Sequence, residues 1–228
     1  MVQGFLTQRC WLGLGFGHEH DVTCRYSSEM DLSRVHSTAE LGEGCLIGDG
    51  CAVWQYVHIR EGASLGPDCV IGRGVYVGPG VRIGARVKVQ NYAQVFEPAV
   101  IGDCVFIGPA AVLTNDRHPR STGQSGLLKT PEDWVATGVE IQHGASIGAQ
   151  AVVLSGVTVG AWAMVGAGAV VTSDVPDHAL IVGNPGRQDG WVGRAGKRLS
   201  ICGGEYVCPE TGEIYVEAEG GLEEAISS

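Results

Sequence analysis

Charge, aromatic rings and basic residues are all scarce in this chain. Of its 228 residues 18% are charged and 7% aromatic, and 15 Lys and Arg face 25 Asp and Glu, for a net charge of -10. The shortage of positive charge excludes a general nucleic-acid surface, which needs clustered Lys and Arg. A few local cations still suffice to hold a phosphate on a small ligand. From Gly144 to Ser173 no residue is charged, a stretch long enough to span a bilayer. Its six glycines and regularly spaced valines fit a buried repeat better than a membrane helix, so no membrane contact is expected. No secretory signal is expected either: Cys10 to Gly17 is short and glycine-rich for an apolar region, and no small-x-small cleavage site follows. Nor is there a glycine-rich phosphate loop of the P-loop type.

Glycine, by contrast, is abundant at 36 residues, about twice its usual share. The glycines do not recur every third residue, which excludes collagen, and the wealth of Val, Ile and Leu excludes a disordered chain. Eight cysteines are present. Cys45, Cys51 and Cys69 occupy small-residue slots of the repeat described next, where a thiol acts as an apolar filler. Their positions point to a reducing cytoplasm and not to disulfides.

From Leu41 every sixth residue is aliphatic: Leu41, Ile47, Val53, Ile59, Leu65, Ile71, Val77, Ile83, Val89, Val95, Ile101, Ile107 and Leu113. Four residues after each comes a second small or β-branched residue, such as Cys45, Val57, Ala63, Cys69, Ala93 or Ala111. The residue directly after the aliphatic one is often glycine, as at Gly66, Gly72, Gly102 and Gly108. Helices repeat every 3.6 residues and strands every 2, so a period of six describes one short strand and one turn. Three such units make a triangular coil, and coils stack at the usual strand spacing of about 4.8 Å. The aliphatic residue fills the prism, the small one fits where faces converge, and glycine is expected at turns with positive φ.

The register breaks after Leu113 and resumes at Ile141, then runs through Ile147, Val153, Val159, Val165 and Val171. The gap of 28 residues is not a multiple of six, so a loop of about residues 115–138 must leave one corner. Nineteen hexapeptides make about six coils, ending near Pro176, which cannot extend a ladder. The organisation expected is an N-terminal extension over 1–34, a β-helix over 35–176 and a tail over 177–228. Residues 1–29 read as a flexible extension or as sequence upstream of a natural start at Met30. Trp54, Tyr56, Tyr76, Tyr92 and Phe96 fall on outer positions and suggest contact between prisms in a closed three-fold arrangement.

The repeat with its inserted loop resembles the left-handed parallel β-helix acyltransferases over about residues 35–217. Four segments sharpen the resemblance toward nucleotide-sugar 3-amino N-acetyltransferases. They are Trp54-Gln55-Tyr56-Val57-His58-Ile59, Val87 to Asn91, Gly108-Pro109 with Val112 to Arg120, and Val182 to Arg187 leading into Gly190-Trp191-Val192. The third is similar to the family's F-T-N-x-x-x-P-R segment. The resemblance implies an all-β homotrimer that transfers acetyl from acetyl-CoA to the amino group of a nucleotide-linked sugar. Asn115-Asp116, the long loop and Asp133-Trp134 resemble enzymes acting on dTDP-3-amino-3,6-dideoxyhexoses; UDP-2-acetamido-3-amino-glucuronate is the other acceptor class. Relatives often carry a small zinc ribbon in the tail. Here Gly193, Ala195 and Thr211 replace three of its four ligands and leave Cys208. A tetrahedral site needs four, so no metal is expected, and Gly204 to Val216 is expected to persist as a hairpin.

Amide formation from a thioester needs a positioned neutral amine and a donor to the oxyanion more than it needs a strong base. By the resemblance Asn115 contacts the acceptor, its side-chain carbonyl accepting from the amine. His118 is expected to take the leaving proton, and Asp116 to orient His118 or bind a sugar hydroxyl. As simpler alternatives His118 is an exposed loop residue and Asp116 a turn former. Gln90 and Asn91 are expected in the acceptor cleft between neighbouring prisms, or else in a polar ladder between coils. Arg117, Arg120 and Trp134 complete the acceptor side. The turns Gly148-Ala149 and Gly166-Ala167-Gly168 offer backbone groups to acetyl-CoA, with Arg187, Arg194, Lys197 and Arg198 for its phosphates. Three rival readings stay open: O-acetyl transfer, a non-catalytic assembly prism, and a γ-class carbonic anhydrase. The last needs three converging histidines and finds only His118 and His143 near the right coils.

Overall fold

The computed structural model describes residues 34–225, all within the unit Asp31–Ser228. But for Arg34, the flexible extension expected over 1–34 lies outside the described residues. The described chain is a left-handed parallel β-helix followed by a small antiparallel sheet. Between Leu46–Ile47 and Val170–Val171 every rung is a two-residue strand whose first residue faces outward and whose second points into the prism. Ala52–Val53, Val70–Ile71 and Lys88–Val89 on the first face illustrate this. Strand partners lie eighteen residues apart, as in Ile71 against Val89 and Val77 against Val95, so each coil is three hexads.

The interior is filled by aliphatic and small side chains. Ile59, Ile71, Val77, Val89, Ile107 and Leu113 are all fully buried, as are the small residues Ala63, Cys69, Ala93 and Ala111. Removing an aliphatic side chain of this size from water contributes roughly 1.5–3 kcal/mol. The six cysteines among the described residues are all free, and burial pushes the Cys69 thiol up to about 11.

Glycine serves the positive-φ turns that the period suggests, as at Gly62, Gly74 and Gly144, and a second purpose besides. Where a glycine directly follows the aliphatic residue, as at Gly66 and Gly108, the next coil passes too close for a side chain. A Cβ on Gly66 would lie 2.7 Å from the Ala85 nitrogen, and one on Gly108 2.6 Å from the Ala149 nitrogen. Positive φ falls two residues later in the hexad. There Tyr56, Asp68, Arg86, Tyr92 and Cys104 adopt φ of 56–62° beside glycines such as Gly62 and Gly74.

The prism is taller than the expected six coils. Its three faces stack eight, seven and six parallel strands. Arg34–Val35 adds a rung at the start, pairing with Ala52–Val53. At the other end Pro176 sits in a corner and not in a strand, so it does not stop the ladder. Val175 bridges Val159, and Ala179–Val182 continues the first face beside Met164–Val165. Ile101 pairs with Ile141, forty residues away where eighteen is the rule, so the insertion adds a net 22 residues at the corner between second and third faces. Within the loop Thr122 bridges Leu128, and a short 3-10 turn spans Pro131–Asp133.

The tail is more than the expected hairpin. Arg187–Trp191 returns antiparallel to Ala179–Val182, and a four-stranded antiparallel sheet then runs Ser200–Cys202, Glu205–Val207, Ile214–Ala218 and Gly221–Glu224. Leu199, Cys208, Tyr215 and Leu222 form its core. A Cβ on Gly193 would meet the Tyr215 hydroxyl and Leu199 at 3.1 Å, so the tyrosine fills space at one of the ribbon positions. Its hydroxyl accepts from the Arg194 N–H at 2.9 Å and donates to Glu213 at 2.8 Å, and burial lifts its pKa to about 12. Among the described residues no group of three or more His, Cys, Asp or Glu is placed to hold a metal ion.

His178 joins tail to prism. It is 5% exposed, its Nδ1 lies 2.9 Å from the Val192 carbonyl, and its ring centroid is 4.9 Å from that of Tyr215. Burial lowers its pKa, opposed in part by the Val192 carbonyl. A folded value below the ordinary one, about 6.5, means that the unfolded chain binds more protons in the interval between the two. The stability that neutral His178 contributes is therefore complete above pH 6.5 and is lost as pH falls below it. Thermal unfolding between pH 8 and pH 5.5 should show a fall in midpoint on acidification that His178→Gln flattens. Equal slopes for the two proteins would remove His178 from the account.

Candidate active site

The interior has no room for chemistry, so candidate residues must lie on corners, outer faces and the insertion, and they divide between two corners. Asn115, Asp116, Arg117, His118 and Arg120 follow the strand Val112–Leu113 at the start of the loop, where the second face turns into the third. Asn115 is half-buried. Its main-chain carbonyl accepts from the Thr137 N–H at 3.0 Å, joining the two ends of the loop. Its side-chain amide makes no hydrogen bond among the described residues, which leaves it free for a ligand.

Asp116 Oδ1 accepts from the His118 backbone N–H at 2.8 Å. The contact is an Asx turn and not a clamp on the imidazole, whose ring is exposed. Arg117 Nη1 donates to the Ser155 carbonyl at 3.2 Å, and Arg120 Nη1 donates to its neighbour Pro119 at 3.1 Å. Arg117 thus braces the loop, while Arg120 remains exposed. Trp134 is half-buried after the 3-10 turn, whose start is capped by Asp133 accepting from the Thr130 N–H at 2.8 Å.

One functional candidate escaped the sequence reading. Gln94–Val95 pairs with Val112–Leu113, so Glu97 occupies, one coil earlier, the turn slot that Asn115 occupies above it. Glu97 Oε2 is buried and has no hydrogen-bond partner. An unsatisfied buried carboxylate oxygen costs free energy, so the fold alone gives no reason for a glutamate in this slot. The signal was there: Glu97 and Asn115 are eighteen residues apart, one full coil.

Gln90 and Asn91 lie at a different corner, between the first and second faces, after Lys88–Val89. Gln90 is half-buried and lines an open groove of roughly 400 Å³ with Trp54, Gln55, Gly72, Arg73 and Asn91. Asn91 Oδ1 accepts from the Arg73 N–H at 2.9 Å, which is the polar ladder between coils. Trp54, Tyr56 and Tyr92 stand on this corner at 50–60% exposure, and the Arg73 guanidinium lies 5.2 Å from the centre of the Tyr56 ring. Tyr76 lies on the second face, in contact with His58 and Phe96.

Gly148, Ala149, Gly166, Ala167 and Gly168 continue the same corner upward, since Ser146–Ile147 and Met164–Val165 pair above Phe106–Ile107. Arg187, whose Nη1 donates to the Gly186 carbonyl at 2.8 Å, caps its upper end. The other three basic residues expected at phosphates are engaged within the tail. Arg194 pairs with Glu224 at 3.1 Å and lies 5.0 Å over the Trp162 ring, Lys197 meets Glu210 at 3.2 Å, and Arg198 meets Asp189 at 2.7 Å. Within one prism, then, the loop residues and the Gln90 corner are not brought together.

The profile of the family described as bacterial transferase hexapeptide (six repeats) matches residues 44–79, 62–97 and 138–173. The matched segments lie on the prism, on either side of the insertion. An 86-residue stretch is 38% identical to a dTDP-3-amino-3,6-dideoxy-α-D-galactopyranose 3-N-acetyltransferase of Aneurinibacillus thermoaerophilus, covering 38% of this chain and 44% of that protein. Among solved structures, PerB of Caulobacter crescentus in complex with CoA and GDP-perosamine shares 26% identity, with 70% of this chain and 57% of that one covered and a TM-score of 0.43. The acetyltransferase domain of PglB of Neisseria gonorrhoeae in complex with acetyl coenzyme A shares 23% over 69% of this chain and 57% of that one, with a TM-score of 0.46. The chain thus spans about half the length of the relatives it matches.

The Asn91 geometry separates ladder from ligand. Asn91→Ala should lower stability to urea by about 0.5–1 kcal/mol through loss of the Arg73 N–H acceptor; unchanged stability would assign Asn91 to ligand contact alone.

Proposed function

We propose that this chain of bacterial transferase hexapeptide repeats moves an acetyl group from acetyl-CoA to the amino group of a nucleotide-linked 3-amino sugar. The acceptor class is a dTDP-linked 3-amino-3,6-dideoxyhexose, and the setting a reducing cytoplasm. The observation that carries the reading is the pair Asn115 and Glu97. They share one turn slot on successive coils, and both have unspent hydrogen-bonding groups at the mouth of the inserted loop. The name of the Aneurinibacillus relative supports both the reaction and the acceptor.

The amine nitrogen attacks the thioester carbonyl, the C–S bond breaks, and coenzyme A leaves as a thiolate that takes up the proton lost from nitrogen. The Asn115 side-chain carbonyl accepts one amine hydrogen and directs the lone pair at the carbonyl carbon. The Glu97 carboxylate, one coil below, is a fixed negative charge that favours the positive charge developing on the attacking nitrogen, and the exposed imidazole of His118 can relay the proton from nitrogen to the departing thiolate. Asp116 acts through the loop by fixing the turn at His118. Gln90 and Asn91 with Trp54 and Arg73 form the acceptor edge, and Gly148, Ala149, Gly166, Ala167, Gly168 and Arg187 the acetyl-CoA edge. Those two edges share one corner and the loop leaves another, so a complete site needs the loop of one prism against the edge of the next, in a homotrimer. The exposed Trp54, Tyr56 and Tyr92 suit such a contact.

Thiol release from acetyl-CoA should be rapid with dTDP-3-amino-3,6-dideoxygalactose or its glucose epimer and slow with UDP-2-acetamido-3-amino-glucuronate. Asn115→Ala should lower kcat about a hundredfold. Turnover with a sugar hydroxyl in place of the amine would convert the reading to O-acetyl transfer, and acetyl-CoA binding without any turnover would leave a non-catalytic prism.

A further inference from the structure

The inserted loop is anchored by a residue that the repeat would otherwise leave as a plain turn position. Val112–Leu113 pairs with Val152–Val153, so Ser155 occupies the slot of Asn115 one coil later. It is 2% exposed, and only His178 joins it as a buried polar or charged residue among those described. All its polar groups are spent on the loop. Its N–H donates to Thr114 Oγ1 at 2.9 Å, its hydroxyl donates to the Thr137 carbonyl at 2.8 Å, and its carbonyl accepts from Arg117 Nη1 at 3.2 Å. The Thr114 hydroxyl passes its own hydrogen to the Val153 carbonyl at 3.2 Å. Thr114 precedes Asn115 directly, and the Thr137 N–H donates to the Asn115 carbonyl at 3.0 Å.

We propose that Ser155 is a positioning residue for acetyl transfer: it clasps both ends of the insertion so that the Asn115 side chain is held at the reacting amine. The proposal rests on the N-acetyltransferase reading. Serine suits the position because the clasp needs a hydroxyl donor in a space that the coil above and the loop below leave small. Alanine would remove the one side-chain hydrogen bond that the buried Ser155 donates to the Thr137 carbonyl and so release that end of the loop. Among the described residues the base of this loop, with its 22 extra residues, has few other main-chain ties: Thr137 to Asn115, Gly156 to Gly138 and Thr114 to Val153. Loops with few buried anchors open most easily, and a displaced Asn115 forfeits rate rather than acetyl-CoA affinity, because the acetyl-CoA edge lies at another corner.

Ser155→Ala, with Thr114→Val as the second variant should the first not fold, tests this in the full-length protein. Three readouts are needed: steady-state kinetics, hydrogen exchange at the Thr137 and Ser155 amides, and thermal unfolding. The expected result is a ten- to hundredfold loss of kcat, on the order of what an ångström of misplacement costs. The KM for acetyl-CoA should stay within about twofold, since uniform binding is untouched. Exchange at the loop base should be faster, and Ser155→Thr should recover part of the rate. A lower unfolding midpoint with undiminished kcat per folded molecule would make Ser155 merely structural and overturn the proposal. Unchanged exchange at Thr137 would overturn the clasp itself. A wild-type protein silent toward every amino sugar would instead overturn the N-acetyltransferase reading, while the exchange contrast would still decide the clasp.

Discussion

The constraint on which the rest depends is the close approach of one coil to the next at the corners. Backbone lies upon backbone, so that a single Cβ at Gly66 or Gly108 would collide with the coil above. The same closeness narrows the prism until only one aliphatic and one small residue per hexad fit inside. Aromatic and charged residues are thereby expelled to the outer surface, which accounts for how few the sequence carries. It also means that the prism interior holds no catalytic group. Function has to be mounted on corners, on outward strand positions and on the one segment that leaves the ladder.

What is mounted there follows a division of labour. One corner offers small, uncharged turns and exposed rings along its height, with Gln90 below and Arg187 above. The other carries the insertion, and around its base lies a polar knot in which the buried Ser155 joins the half-buried Thr114 and Asn115 and the exposed Thr137. The knot occurs where the helical ladder is interrupted and its main-chain partners must be replaced. Polar groups buried in such a place are costly unless every one is satisfied. Within it Ser155 is fully satisfied and the Asn115 side chain is not, the arrangement expected of a supporting residue beside a ligand-facing one.

The tail shows a second use of burial. His178, Val192 and Tyr215 pack the four-stranded sheet onto the end of the prism, and Tyr215 stands against Gly193. The ion pairs of Arg194, Lys197 and Arg198 are all exposed. Exposed pairs contribute little, so those side chains hold the tail loosely and its apolar core holds it firmly.

Much of this was legible in the residues. A period of six with a small residue at a fixed offset permits only a narrow parallel β-helix, and the gap of 28 residues between Leu113 and Ile141 located the insertion, because both are statements about spacing along the chain. Asn115 and its loop neighbours were singled out through a segment that resembles one of a known family, not through any spacing rule. Other features lie between residues far apart in sequence, and no local pattern carries them. Which glycines relieve a collision and which hexad position takes positive φ depend on where the next coil passes. The extra rung at Ala179–Val182 depends on Pro176 falling at a corner, and the sheet that replaced the expected hairpin depends on Tyr215 finding Gly193. Glu97 and Ser155 share a turn slot with Asn115 only because the coil repeats every eighteen residues outside the insertion. The sequence alone thus determined the repeat, the prism and the place where chemistry could be inserted, since these follow from periodicity and side-chain volume. Which polar groups end buried and partnered at that place follows from the stacking of coils, because burial is set by what lies above and below and not by neighbours in the chain.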